Sequence, residues 1–350
     1  MKKLTLSLAI AAITASSSVA MAAGNSGYQT QYGNGNTALI DQTTGSTNNY
    51  ASQYQSGNNN DATTTQEEAD SNSASQSQYG DDNVATADQY EADQNYVSQY
   101  QSGTGNGADS DQEYELSSIA YQSQYGSGNA SYNQQFGGQD NYTSLYQYGD
   151  GNSNANYQSY SLNSSTRVWQ GYTTDGGYAY SSNNAATAYQ DGQDASDILI
   201  EQAGDNNIAA TWQYYSGSAN EASTTQVGNA NTATTYQYYT VGSTVDVDQT
   251  GDNHNSYVLQ DVTTTSQVDV DQLGDGNISD VYQTGTDLAA TVYQDGVGND
   301  SDIDQSGSLH QAYVTQYGTT NMATIAQTTS GNYGSIYQNG TSNMATILQN

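Results

Sequence analysis

Glutamine and asparagine amides fall at fixed distances from one another along this chain of 350 residues. A primary amide carries two N–H donors and a carbonyl acceptor, so identical amides placed one above another can each donate to one neighbour and accept from the other. That is a chemistry of stacking, and it makes or breaks no covalent bond. The groups that do covalent work are scarce. Histidine occurs only at 254 and 310, cysteine is absent, and lysine occurs only at 2 and 3, which nearly removes general-base, thiol and amine chemistry. Serine and aspartate are plentiful, yet no nucleophile elbow or triad order emerges. Each histidine stands five residues after a glutamine (Gln249 and Gln305), where the pattern places asparagine, so a repeat substitution accounts for both better than a catalytic or metal-binding role. The residues imply no catalytic set, no cofactor and no metal site.

The full pattern is Gln31, Gly33, Asn36, Ala38 and Gln42. It returns as Gln55, Gly57, Asn60, Ala62, Gln66; as Gln78, Gly80, Asn83, Ala85, Gln89; and as Gln101, Gly103, Asn106, Ala108, Gln112. It returns again as Gln202, Gly204, Asn207, Ala209, Gln213; as Gln226, Gly228, Asn231, Ala233, Gln237; as Gln316, Gly318, Asn321, Ala323, Gln327; and as Gln338, Gly340, Asn343, Ala345, Gln349. Partial copies start at Gln124, Gln147, Gln249, Gln272, Gln283, Gln294, Gln305 and Gln327. From Gln31 to Gln147 the steps are 24, 23, 23, 23 and 23 residues, and beyond Gln272 a glutamine falls every 11 residues to Gln349. A period of about 23 made of two half-units is the mark of a repeat architecture.

The elements that would hold these amides follow from side-chain parity. In Val245-Asp246-Val247-Asp248-Gln249 the apolar residues and the glutamine share one face and the aspartates the other, and Val268-Asp269-Val270-Asp271-Gln272 repeats it. A period of two means a β-strand with one buried face. Asn36, Ala38, Ile40 and Gln42 keep the same parity after the turn, so glutamine and asparagine point inward. Stretches such as Gly33-Asn34-Gly35-Asn36 supply the positive-φ residues of a tight turn. The expected fold is all-β: a two-sided β-solenoid of about fourteen strand-turn-strand rungs, stacked about 4.8 Å apart and able to form amyloid. A buried amide left unpaired would cost about 1 to 3 kcal/mol, and in-register stacking of like on like removes that cost. Alanine after the turn is small because the two sheets approach closely.

Composition alone points elsewhere. A net charge of −33 with few aliphatic residues reads as disorder, and only the repeat reverses that reading, since a stacked rung needs a thin core that its neighbours complete. Proline is absent, so no rung lacks a backbone donor for that reason. Residues 1–22 have the form of an export signal, with Lys2 and Lys3 before an apolar stretch and Ala20-Met21-Ala22 at its close. Its removal leaves Arg167 as the only basic side chain against 36 Asp and Glu, which argues against nucleic acid and anionic membrane as partners.

At the eight full motifs the chain resembles the curlin family, the subunits of extracellular curli fibres, whose repeats carry Gln-x-Gly-x-x-Asn-x-Ala-x-x-x-Gln. The resemblance runs from Gln31 to Gln349. It implies a secreted structural subunit of a cell-surface amyloid fibre, assembled from further copies of itself by templated stacking, in biofilm matrix and surface adhesion. It also implies a nucleating minor subunit and a curli-type outer-membrane export pore as partners, with host or abiotic surfaces as further ones. The domain reading is a signal peptide at 1–22, a short leader at 23–30, repeats at 31–158, a degenerate region at 159–200 that loses the register, and repeats at 201–350. The last motif reaches Gln349, so no polar cap is expected on that rung.

A secreted acidic β-solenoid adhesin, or a calcium-binding β-roll, is the alternative that does not form amyloid. The β-roll has a nonapeptide period, and Gly149-Asp150-Gly151-Asn152 echoes it only faintly. The 33 tyrosines add one more signal. Tyr32, Tyr79, Tyr125, Tyr148 and Tyr317 follow the motif glutamine and face outward, where tyrosines at equivalent positions on successive rungs would stack into ladders. High β-propensity on a solvent-facing strand explains them equally well.

Overall fold

The computed structural model describes residues 24–42, 45–171, 180–215 and 217–350. The expected export signal at 1–22 lies outside the described residues. What is described is strand and turn throughout, wound as two parallel sheets that face each other. The first sheet follows a path of 14 strands from Ser26–Asn34 to Tyr333–Thr341, with the two-residue strand Ser181–Ser182 attached beside Tyr142–Asp150. The second sheet holds 14 strands from Thr37–Gln42 to Met344–Gln349. Apart from Ser181–Ser182, consecutive strands alternate between the sheets, so each rung contributes one strand to each. This is the two-sided β-solenoid that the parity implied.

The interior strands alternate buried and outward residues, as in Val245, Val247 and Gln249 inward with Asp246 and Asp248 outward, with a departure at Asp197–Ala203, where Glu201 is also buried. Rung length varies without loss of register: ladder glutamines lie 24 residues apart at Gln31 and Gln55, 23 at Gln55 and Gln78, and 22 at Gln272 and Gln294. The 22-residue rungs are those in which the two halves of the repeat have become alike.

Two expectations are corrected here. Residues 159–200 do not lose the register: Ser165–Gln170 pairs with both Tyr142–Asp150 and Asp197–Ala203, and Ala185–Asp191 pairs with Ser153–Ser159. The motif fails because Gln170 and Gln202 are 32 residues apart, with the extra length falling between Gln170 and Ser181. The leader at 23–30 is also shorter than read. Ser26 already opens the first strand, where Gln29 donates to Gln53 at 3.0 Å.

The corner glycine has a steric reason. Gly103 has φ +137, and a Cβ there would lie 1.8 Å from the carbonyl oxygen of Gly126 one rung on, so only glycine allows successive corners to approach this closely.

The core changes character along the axis. Two residues before the ladder glutamine, the first sheet carries Gln53, Gln76, Gln99 and Gln122 in its early rungs, then Leu145, Val168 and Ile200, and later Val247, Val270, Val292, Val314 and Ile336, all buried. The largest apolar cluster accordingly runs from Ala233 to Ile336, while the early rungs hold only a small one around Ala74, Ala87, Val97 and Ala120.

Candidate functional site

The glutamines at the end of each strand's buried face form two continuous hydrogen-bonded ladders. In the first sheet, Gln31 Nε2 donates to Gln55 Oε1 at 2.7 Å, Gln55 to Gln78 at 2.8 Å and Gln78 to Gln101 at 2.9 Å. The series continues through Gln124, Gln147, Gln170, Gln202, Gln226, Gln249, Gln272, Gln294 and Gln316 to Gln338. The second sheet does the same from Gln42 to Gln66 at 2.8 Å and onward to Gln349, where Gln327 donates at 2.8 Å. Direction is uniform: Nε2 donates toward the later rung and Oε1 accepts from the earlier one. The spare N–H meets a strand carbonyl, as Gln124 meets Gly107 O at 2.8 Å. Almost no water reaches these amides, since Gln55, Gln78, Gln101, Gln124 and Gln147 are fully buried, so each bond is made where an orphan would be costly.

The asparagines act differently from the expectation of amide stacked on identical amide. Asn36 Oδ1 accepts the backbone N–H of Asn60 at 2.9 Å, and its Nδ2 donates to the carbonyl of Gly57 at 3.0 Å. Asn60, Asn83, Asn106, Asn207, Asn231 and Asn321 repeat this contact to the next corner glycine. One methylene shorter than glutamine and placed beside the turn, asparagine reaches corner backbone groups that no strand partner serves. Amide-to-amide contacts also occur, as from Asn83 to Asn60 at 3.0 Å, but they point toward the earlier rung, opposite to the glutamines.

Both histidines occupy this asparagine place. His254 Nδ1 accepts the N–H of Asn277 at 3.2 Å, and Nε2 lies 3.2 Å from Thr250 O, which fixes the proton on Nε2. His310 does the same toward Asn332 at 3.2 Å and Ser306 at 3.1 Å. Burial pushes the His254 pKa below its ordinary value, against a smaller upward pull from the Thr250 carbonyl and Asp275.

Alanines Ala62, Ala85, Ala108, Ala209, Ala233 and Ala323 are buried between the sheets, whereas Ala38 and Ala345, in the first and last described rungs, are partly covered. In the rung of Gln147 the place is taken by Asn154, which is buried with no hydrogen-bond partner for either side-chain atom. Glu115 is another buried departure. It accepts from Gly138 N at 2.8 Å, from Ser118 Oγ at 2.6 Å and from Asn141 Nδ2 at 3.4 Å, and burial outweighs these bonds to push its carboxyl up to about 7.

Tyrosines stack along the axis both at equivalent positions, as Tyr157 on Tyr189 at 6.0 Å and Tyr214 on Tyr238 at 5.0 Å, and diagonally. Tyr32, Tyr54, Tyr79, Tyr100, Tyr125 and Tyr146 form one run with ring centroids 5.9, 5.2, 5.5, 5.2 and 5.6 Å apart. Successive members alternate between the residue after the ladder glutamine and the residue before it, because a diagonal neighbour on the same face is within reach of a long aromatic side chain.

Sequence reasoning missed several residues that the structure brings into these lanes. Gln170 and Gln190 continue the two ladders inside the stretch read as degenerate. The inner lane of Gln29, Gln53, Gln76, Gln99 and Gln122 is hydrogen-bonded rung to rung at 2.7 to 3.0 Å. Its signal was available: each stands two residues before a motif glutamine at the same period.

Fold and ladders together define a repeat protein whose chemistry is the pairing of its own rungs. The curlin-associated repeat matches at residues 240–274, 263–296 and 297–328. The chain thus carries curlin-associated repeats in its C-terminal region, and the same ladder geometry extends back from them to Gln31. No curated protein matches the chain.

Proposed function

We propose that this chain is the structural subunit of an extracellular, curli-like amyloid fibre, in which copies stack rung upon rung through their amide ladders. The observation that carries this reading is the uniform polarity of the two glutamine ladders. The described stack has an acceptor face at Gln31 and Gln42 and a donor face at Gln338 and Gln349. The two faces are complementary, and the rungs that bear them carry the same five-residue motif. A second copy placed head to tail would let Gln338 donate to its Gln31, and Gln349 to its Gln42, with both sheets continuing. Heterologous contacts of this kind do not close, and they produce filaments. Within the reading, the export signal at 1–22 sends an unfolded acidic chain out of the cell. A nucleating subunit or a fibre end then templates it, and the fibre serves biofilm and adhesion. The ladder amides are used in structural bonds, in keeping with a structural role.

The test is fibre formation by the purified chain lacking residues 1–22. The expected result is conversion from disordered monomer to fibres that diffract at about 4.8 Å along the axis and about 10 Å across it. A chain that remains monomeric, or folds to a soluble particle that never elongates, would overturn the reading and favour the non-amyloid adhesin.

A further inference from the structure

Charge is distributed unevenly over the two broad faces. In the six first-sheet strands from Ser26–Asn34 to Tyr142–Asp150, every outward residue from the start of the strand to the residue after the ladder glutamine is serine, threonine, tyrosine or isoleucine. No charge appears on that face, in a chain of net charge −33. The opposite face is acidic in the strands from Asp61–Glu67 to Gly107–Glu113, with Asp61, Glu67, Asp88, Asp109, Asp111 and Glu113 turned outward, and neutral in Ala130–Phe136 and Ser153–Ser159. The first sheet itself turns acidic further on, where Asp246 stacks over Asp269 and Asp248 over Asp271. Acids such as Asp70, Asp93 and Asp150 stand at the corners, so the neutral face has a charged rim.

The neutral face also has relief. Tyr54 precedes its ladder glutamine and Ser56 follows it; in the next rung Ser77 precedes and Tyr79 follows; then Tyr100 and Ser102 restore the first order. Beside the ladder glutamine, tyrosine knobs and serine hollows thus alternate from rung to rung between Tyr54 and Tyr125. An identical face laid antiparallel against this one, a rung out of step, sets most tyrosines over a serine or threonine.

We propose that this serine-tyrosine face is a lateral interface, through which two copies of the solenoid pair with their acidic faces turned outward. Repulsion opposes contact through the acidic strands Asp61–Glu67 to Gly107–Glu113 and Thr244–Asp252 to Gln267–Asp275, and the serine-tyrosine face of the first six rungs is free of it. The composition is that of an interface, with tyrosine enriched, Asp and Glu excluded from the centre and a polar rim. Six rungs by seven residues give a patch of about 29 Å by about 23 Å. That is about 650 Å² per copy and about 1,300 Å² for the pair, within the range of stable interfaces of about 1,200–2,000 Å². In its readout the inference rests on the fibre reading, since paired filaments follow from paired subunits.

The experiment measures mass per unit length of fibres by dark-field electron microscopy for the wild type, for S77E/S98E, which places two charges in the centre of the face, and for T63E/T86E, which adds the same charge to the acidic face. Y79S/Y100S removes two knobs without adding charge. Wild-type and T63E/T86E fibres are expected to have twice the mass per length of a single solenoid, and S77E/S98E and Y79S/Y100S to fall to the single value, with seeded elongation unchanged. Single wild-type filaments, or S77E/S98E filaments that stay paired, would overturn the proposal. So would single filaments that bind insoluble cellulose through this face, since the partner is then a neutral polysaccharide. If no fibres form, the fibre reading fails, and sedimentation equilibrium of the folded chain decides the pairing: a dimer abolished by S77E/S98E supports it and a monomer overturns it.

Discussion

At the scale of single residues, the asparagine lane shows how a substitution keeps geometry while changing chemistry. His254 serves Asn277 only while Nδ1 is unprotonated. Burial lowers its pKa below 6.5, so as the pH falls through that region the unfolded chain takes up the proton first and stability is lost on the acid side. His254→Asn is expected to be within about 1 kcal/mol of wild type at pH 8 and more stable than wild type at pH 5, measured by denaturant unfolding at the two values. Equal differences at both pH values would show that protonation of this ring is not involved. Asn154 presents the opposite case, a buried amide without partners in an alanine lane. Asn154→Ala is expected to stabilise the fold by about 1 to 3 kcal/mol, and a destabilisation in the same assay would refute that. Both departures were legible as positions, since each stands at a fixed offset from a glutamine. Their bonding was not, because whether an inward amide meets an amide or a corner carbonyl depends on the depth of the turn.

At the scale of the element, the rungs share one geometry but not one source of stability. Early rungs fill the inner lane with glutamine and later ones with valine, isoleucine and leucine. A buried aliphatic side chain contributes about 1.5 to 3 kcal/mol, against a net of about 0.5 to 1.5 kcal/mol for a hydrogen bond. Amides of strands Thr244–Asp252 to Gln311–Thr319 are therefore expected to exchange with solvent deuterium more slowly than those of Tyr50–Asn58 to Ile119–Ser127. Uniform protection would contradict this. The corner glycines offer a second contrast. Gly103 faces the Gly126 carbonyl, whereas Gly105, at φ +66, has nothing within 4 Å of its added Cβ. Gly103→Ala should cost at least about 2 kcal/mol, and Gly105→Ala about 1 kcal/mol. Strand parity makes the rung visible in the sequence. It hides the rung containing Gln170, whose register is set by pairing with its neighbours and not by distance along the chain.

At the scale of the whole molecule, the stack brings like charges together. Asp111 and Asp271 have carboxyls pushed up to about 6, first by burial and then by neighbouring acids, and Glu115 is pushed up to about 7 by burial. These groups bind protons more tightly folded than unfolded, so their effect on stability is favourable at low pH and declines as the pH rises from about 4 toward 7. Two unit charges at 4 Å repel by about 1 kcal/mol even in water, and salt at 0.1 M screens over about 10 Å. The lag before fibre growth should therefore shorten from pH 8 to pH 5 and with added salt. The His254 effect opposes this at one site, and the carboxyl lanes outweigh it. A lag that lengthens on acidification would show that carboxylates do not restrain assembly.

The most direct measurement of the central claim is the rate of elongation on preformed wild-type seeds by chains altered in their ladders. Replacing Gln338, Asn343 and Gln349 by alanine removes the two ladder donors and the corner asparagine of the rung that is proposed to meet the next copy, while the same changes at Gln147, Asn152 and Gln158 remove amides already paired on both sides. The expected result is that the first variant elongates markedly more slowly than the second. Equal rates for the two would contradict growth through stacked amide ladders.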